Sequence, residues 1–185
     1  MSRYKILVRG PALSASGYGE QTRFALKCLR SREDIFDIFI MPVNWGRTGW
    51  ISPDTEEATW INQMAMKTHF HQENKGEFDI SLQVTIPNEW EKMAPVNVGY
   101  TAGVETNLVS PQWIQRSEIM DRIITTSVHS KDVYEKTSYT ATNQETGETV
   151  QDFRTSTPME AVNYCVRYAE PTKLDIDFST SFNFL

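Results

Sequence analysis

A pair of glycines, Gly17 and Gly19, lies where an apolar run gives way to an amphipathic helical pattern. Glycine lets the backbone turn tightly or approach another molecule closely. Ser16 is a typical N-cap residue, and Tyr18 stands between the glycines, so the loop leads into the start of a helix. Free backbone N–H groups and the helix dipole favour an anion at such a position. The segment therefore predicts either a cradle for a phosphate or a sugar, or simply a tight strand-to-helix turn.

Two common nucleotide-binding motifs are excluded at this loop. A dinucleotide fingerprint needs a third glycine where Thr22 stands, and an acid at the end of the second strand, where residues 41–44 read Met-Pro-Val-Asn. A P-loop needs a lysine followed by serine or threonine, which the loop lacks. We therefore do not expect NAD or a P-loop nucleotide here.

Aromatic and polar side chains fall in the loops that follow the predicted strands. In open α/β sheets, ligands bind beyond the carboxyl ends of the strands, where these loops gather. Flat indole faces and forked hydrogen-bonding groups suit a polyhydroxylated ligand. An anchoring role in the core is the alternative for Trp45 and for its neighbour Trp50. The residues expected to contact a substrate are Gly17, Tyr18, Gly19, Asn44, Trp45, Thr101, Ser127 and His129.

Glu105 is the candidate catalytic or acceptor-orienting carboxylate, because it lies in a glycine-containing loop just past a buried strand. A helix-capping or solvated role for Glu105 remains open. His129, in the first turn of a predicted helix, is either a ligand contact or a surface imidazole. His69 and His71 face different ways on one helix, so we expect no metal site there. The sequence contains no catalytic triad order and no zinc-protease motif.

The chain has 185 residues, 39% of them hydrophobic and 23% charged, with a net charge of −6. This length fits one sizeable core, or one domain with a fragment of another. The acidic balance without a Lys/Arg cluster argues against nucleic-acid binding. No apolar run reaches the roughly 18–20 residues of a membrane span, and no signal peptide precedes the first strand, which predicts a cytoplasmic protein. Cys28 and Cys165 have apolar neighbours and no metal-ligand spacing, which predicts buried thiols rather than a disulfide.

Apolar strand-like segments alternate with helical patterns on short connections. This alternation predicts a Rossmann-like, doubly wound α/β fold, with a mainly parallel sheet and helices on both faces. A polar β-hairpin is expected near residues 140–156, with its turn at 145–148. Strands are expected at 4–8, 35–41, 78–84, 96–101, 122–126 and 160–167, and helices after Ser16, after Asp54 as N-cap, from Pro111 and after Ser127.

Several of these motifs occur in an order that resembles the N-terminal domain of a retaining glycosyltransferase of the GT-B fold, glycosyltransferase family 4 (group 1 type). The resemblance covers nearly the whole chain. Its carriers are Gly17-Tyr18-Gly19 with Arg23, the run Asn97 to Thr101 with Glu105, Trp113, and Asp121 to Ser127 with Lys131.

The resemblance implies that residues 1–174 form the acceptor-side domain, and that 175–185 form a linker and the first strand of a second domain. That second domain would bind most of the nucleotide sugar. The implied reaction transfers a sugar to a glycan or other acceptor with retention, and without a metal, because helix dipoles and basic side chains stabilise the leaving diphosphate. The family's donor-site glutamates would lie beyond Leu185, so we expect a truncated chain that shows no turnover alone.

Two other kinds of function remain open at this stage. One is a non-catalytic, Rossmann-like binding or assembly module. The other is a nucleotide-dependent enzyme such as a flavodoxin-like protein, which would purify with bound flavin or nucleotide.

Overall fold

The structure is a computed structural model that describes residues 3–142, 146–165 and 170. The strands are β1 Tyr4–Gly10, β2 Phe36–Pro42, β3 Ile80–Gln83, β4 Val96–Tyr100, β5 Arg122–Thr125, β6 Tyr139–Thr142, β7 Thr149–Phe153 and β8 Met159–Ala161. Six of them form one sheet in the order β2-β1-β3-β4-β5-β8, and all of its neighbouring pairs are parallel. The remaining two, β6 and β7, form the predicted antiparallel hairpin. Part of its predicted turn, residues 143–145, lies outside the described residues.

The helices are α1 Gly17–Arg30, α2 Glu56–Glu73, α3 Pro111–Ser117 and α4 Val128–Lys136, and a 3₁₀ turn spans Pro87–Glu89. Three predicted start signals are confirmed. The Ser16 hydroxyl accepts from the Gly19 N–H, and the Ser127 hydroxyl accepts from the Ser130 N–H. Pro111 occupies the first position of α3, where its missing N–H costs nothing.

The two faces of the sheet are covered by different helices. Ile6 and Val8 of β1 pack with Leu26 of α1 on one face. On the other face, Ile123 of β5 packs with Ile114 of α3 and with α4. The protein is thus α/β and Rossmann-like, with helices on both faces of a parallel sheet, as predicted.

Helix α2 runs along the edge strand β2. The Ile40 N–H donates to the Thr68 hydroxyl at 2.8 Å, and Lys67 Nζ donates to the Asp37 carboxylate at 2.6 Å and to the Ile38 carbonyl at 2.9 Å. These contacts occupy backbone groups that an edge strand would otherwise offer to another chain.

The connection from β3 to β4 covers its part of the sheet without an α-helix. Gln83 exchanges two hydrogen bonds with the backbone of Glu91, at 2.6 and 3.0 Å. Asn97 accepts from the backbone N–H groups of Met93 and Ala94. Because these buried polar side chains are satisfied by the loop, the strands tolerate them on a covered face.

Two expectations about element ends are wrong. Helix α2 is capped by Thr55, whose hydroxyl accepts from the Ala58 N–H at 3.1 Å, and not by Asp54. The last strand ends at Ala161 rather than near residue 167. The neighbouring strand β5 ends at Thr125, whose carbonyl accepts from the Val162 N–H. The residues directly after Val162 therefore have no residue of β5 to pair with.

The expectation of buried cysteines is also wrong, because Cys28 and Cys165 are both exposed. Cys28 lies in the last turn of α1, beyond Leu26, the last residue that the helix buries. The proposed division at residues 174 and 175 lies outside the described residues. Within the described part of the chain, no helix is long and apolar enough to cross a membrane.

Candidate functional site

The loops after β1 to β5 meet at one edge of the sheet, which we call the carboxyl edge. The chain order reverses direction at β1, which lies between β2 and β3. Ligands of open α/β sheets bind at such a switch point, outside the carboxyl ends of the strands. Most of the predicted substrate-binding residues belong to these loops or to the helices that start there.

Tyr18 and Trp45, which we call the aromatic pair, come together at this edge. Their ring centroids are 4.6 Å apart, with the planes tilted by 46°. The Tyr18 hydroxyl lies 3.2 Å from the Thr101 hydroxyl and accepts from the Ala102 N–H at 3.1 Å. The structure therefore joins three of the predicted residues, from the first turn of α1 and from the loops after β2 and β4.

Gln21, which is buried, also helps to hold Thr101 in place beside Tyr18. Its side-chain amide donates to the Thr101 carbonyl at 3.1 Å, and only 1% of Gln21 is exposed. Burial raises the pKa of Tyr18, although its bonds to Thr101 and Ala102 partly oppose the rise. The Tyr18 phenol is therefore protonated near neutral pH and is able to donate a hydrogen bond.

The two glycines of the opening loop have different surroundings. A Cβ on Gly19 would lie 2.1 Å from the Ser14 carbonyl oxygen, so this glycine permits tight packing inside the chain. Gly17 is exposed, and a Cβ there would meet no atom within 4 Å. Of the pair, only Gly17 has open space beside it for another molecule.

The segment of residues 43–51 is tied to the opening loop by backbone and side-chain bonds. The Ala15 N–H donates to the Gly49 carbonyl at 2.7 Å, and the Ser14 and Thr48 hydroxyls lie 2.6 Å apart. Asn44 and Trp45 line the small cavity between the two segments, of about 30 Å³. That volume holds a water molecule but no sugar ring, so a sugar would have to bind on the exposed side of Trp45.

Ser127, His129 and Glu105 lie near the start of α4. The Ser127 hydroxyl is used to cap the helix. The Ser130 hydroxyl accepts from the Val104 N–H at 3.0 Å, and this bond holds the loop after β4 against the helix. His129 is exposed. Glu105 is also exposed and lines a depression of about 300 Å³ that reaches Trp113 and shares no lining residue with the Trp45 cavity.

The histidines on α2 have separate surroundings. His71 packs against Phe39 and Phe78, with ring centroids 4.7 and 5.2 Å away, and His69 is exposed next to Glu73. Among the described residues, no group of three or more His, Cys, Asp or Glu side chains is placed to hold a metal ion.

Several residues that carry the family resemblance have structural roles in this chain. The Asp121 carboxylate accepts from the Asn97 N–H at 2.7 Å, and Trp113 stacks on Tyr134 with ring planes 19° apart. Arg23 is 5% exposed and donates to the carbonyls of Ala12 and Ser14. These residues support the fold, whereas Tyr18 and Thr101 lie at the carboxyl edge.

Three buried polar groups without a hydrogen-bond partner in the described part of the chain were not anticipated from the sequence. Thr85 follows β3, and its hydroxyl is buried without a hydrogen-bond partner in the described part of the chain, as is the Trp90 indole N–H. The buried Tyr134 hydroxyl faces Thr101 without closing a hydrogen bond. Periodicity does not reveal these groups, because threonine and aromatic residues also occur in ordinary strands and cores.

Tyr100 lies at the end of β4, on the face of the sheet opposite to Trp90 and Tyr134. The titration of its phenol is a direct test of how far it is buried. Burial, with Tyr164 adding to it, raises the pKa of Tyr100 to about 12, against about 10 for an unfolded tyrosine. Folding favours the neutral phenol, so this contribution to stability is fully present below pH 10 and is lost as the pH rises from about 10 to 12. We expect phenolate absorbance of the folded protein to show a late phase whose amplitude falls in Tyr100→Phe. An unchanged late phase in that variant would contradict the assignment.

Comparisons with protein-family models, with curated proteins and with solved structures found no match for this chain.

Proposed function

We propose that this chain is the N-terminal, acceptor-side half of a retaining glycosyltransferase of the GT-B type, and that its carboxyl edge receives a sugar ring. The observation that carries the proposal is the aromatic pair, fixed beside the Thr101 hydroxyl at the ends of parallel strands. The order of motifs described above supports the choice of a transferase.

The chemistry of the edge suits a sugar. The Trp45 indole is partly exposed and offers a flat apolar surface to the C–H face of a pyranose. The exposed Asn44 amide and the Tyr18 and Thr101 hydroxyls offer donors and acceptors to the ring hydroxyls. Because the tyrosine is already held by two hydrogen bonds, binding costs little further ordering of its side chain.

In the proposed reaction, the acceptor hydroxyl attacks the anomeric carbon of a nucleotide sugar and the nucleoside diphosphate leaves. Glu105 is the proposed carboxylate that orients the acceptor hydroxyl. His129, exposed on the first turn of α4, is a proposed contact to the substrates from the same side. The donor would be held mainly by a second domain, without a metal ion.

A sugar-binding or assembly module without catalysis is the alternative. The aromatic pair supports sugar binding in both cases, whereas transfer also needs a donor site. The strand order β2-β1-β3-β4-β5 is that of flavodoxin-like folds, but a shared fold does not specify a ligand.

We expect Trp45→Ala to weaken sugar binding at least tenfold, about 1.4 kcal/mol, because it removes the stacking surface. The chain of residues 1–185 is screened against immobilised glycans and, by saturation-transfer NMR, against nucleotide sugars. The affinity of each variant is then measured by titration with the tightest ligand. Phe70→Ala is the matched control, since Phe70 is 70% exposed on α2 and is distant in sequence from the residues of the proposed sugar site.

The outcomes separate the candidate functions. Binding that Trp45→Ala weakens and Phe70→Ala leaves unchanged supports the proposed sugar site. Failure of every sugar and nucleotide sugar to bind, or equal binding by Trp45→Ala, contradicts it. Bound flavin on purification would favour a flavodoxin-like protein, and sugar transfer by residues 1–185 alone would contradict the assignment as an acceptor-side half.

A further inference from the structure

The two cysteines of the chain both lie on the face of the sheet that carries α1. Cys28 lies near the end of α1. Cys165 lies a few residues after β8, close to the C-terminal end of the described residues. Both cysteines line the same apolar cleft between α1 and the segment that follows β8. Both residues are exposed, so small reagents can reach the sulfur atoms.

The segment of residues 162–165, which we call the β8 extension, is held in place by two hydrogen bonds. The Val162 N–H donates to the Thr125 carbonyl at 2.8 Å, which continues the pairing of β8 with β5. The Tyr164 hydroxyl donates to the Gln21 side-chain carbonyl at 3.4 Å. The extension and α1 together line an apolar cleft of about 220 Å³, with Tyr100 and Ile124 at its floor.

We propose that Cys28 and Cys165 are the two halves of a reversible disulfide, formed when the folded protein meets a small-molecule disulfide such as oxidised glutathione. The inference is independent of the proposed sugar-binding function. It rests on two exposed thiols that the fold places in the lining of one cleft.

The exchange proceeds in two balanced steps. The thiol of one cysteine loses its proton to solvent, and the resulting thiolate attacks a sulfur of oxidised glutathione, which forms a mixed disulfide and releases one glutathione thiolate. The second cysteine, also deprotonated, attacks the protein sulfur of that mixed disulfide and displaces the other glutathione. The two protein thiols lose two electrons and two protons in all, and oxidised glutathione is reduced to two molecules of glutathione.

The geometry also predicts the consequence of the bond. The disulfide would join α1 covalently to the β8 extension and so close a loop that contains most of the chain. Cross-links that close long loops restrict the unfolded ensemble strongly. We expect the oxidised protein to unfold about 5 °C or more above the reduced protein.

The test treats the full chain with oxidised glutathione and follows it by mass spectrometry without reducing agent. We expect an intact mass lower by two hydrogen atoms, and a linked peptide pair that contains Cys28 and Cys165. Burial and the neighbouring Cys165 raise the pKa of the Cys28 thiol, so the reaction needs long incubation. Prior unfolding in urea should slow the internal link, because the fold then no longer places the two thiols in one cleft.

Single-cysteine variants provide the controls. Cys28→Ser and Cys165→Ser should each carry one glutathione adduct and show no oxidation-dependent rise in the unfolding midpoint. A wild-type protein that accumulates two glutathione adducts, or disulfide-linked dimers, without the internal peptide link would overturn the proposal.

Discussion

Gly19→Ala is expected to destabilise the protein by about 3 kcal/mol. The added Cβ would lie 2.1 Å from the Ser14 carbonyl oxygen and 3.0 Å from the Pro11 carbonyl oxygen, both of them backbone atoms that cannot rotate away. Overpacking of this kind costs about 1–3 kcal/mol or more. The usual gain of about 0.5–1 kcal/mol from alanine in a helix offsets part of that cost. Urea unfolding followed by circular dichroism measures the difference.

Gly17→Ala is the matched control for this prediction. The same substitution two residues earlier on α1 meets no atom within 4 Å. We therefore expect a change within about 0.5 kcal/mol, or a slight stabilisation through the unfolded state. Equal stabilities of the two variants would show that the opening loop can move away from α1 at little cost, against the close contact described here.

Arg23→Met should also cost about 3 kcal/mol, for a different reason. Methionine keeps much of the apolar volume but removes the donors to the carbonyls of Ala12 and Ser14, at 2.9 and 2.8 Å, and to the Glu20 carboxylate at 2.7 Å. Only 6% of the Arg23 side chain is exposed, so water cannot easily replace these donors. A buried polar group left without a partner costs about 1–3 kcal/mol, and two buried carbonyls lose their donor here, whereas the Glu20 carboxylate is 36% exposed and can be hydrated.

Lys27→Met is the control, because it removes a charge one turn further along the same helix. Lys27 pairs with Glu57 at 2.9 Å, but 51% of its side chain is exposed. Exposed ion pairs contribute at most about 1 kcal/mol. If Arg23→Met lost no more stability than Lys27→Met in urea unfolding, the proposed structural role of Arg23 would be wrong.

Gly19→Ala and Arg23→Met both act on the Ser14 carbonyl, which packs on Gly19 and accepts a hydrogen bond from Arg23. Since Tyr18 lies in the first turn of α1 and contacts Trp45 and Thr101, the position of this helix start decides where the aromatic pair lies. We therefore expect Gly19→Ala to weaken sugar binding as well, although it touches no proposed ligand contact.

Local chemistry was sufficient to predict much of the fold. Caps such as Ser16 and Ser127, and Pro111 at a helix start, act within a few residues, so their effect is visible in sequence. The cap of α2 shows the limit of this reasoning. Asp54 and Thr55 are both good N-cap residues, and local sequence does not decide between neighbours.

The chain order of strands and helices sufficed to predict a parallel sheet with a ligand-facing carboxyl edge, because crossover connections leave few topologies. The partners across that edge were decided only by tertiary structure. Tyr18 meets Trp45 and Thr101 because three strand ends converge there, and Cys28 is exposed because it lies beyond Leu26, the last buried residue of α1. Periodicity measures how apolar each position is, whereas hydrogen bonds between distant segments determine which polar side chains are buried.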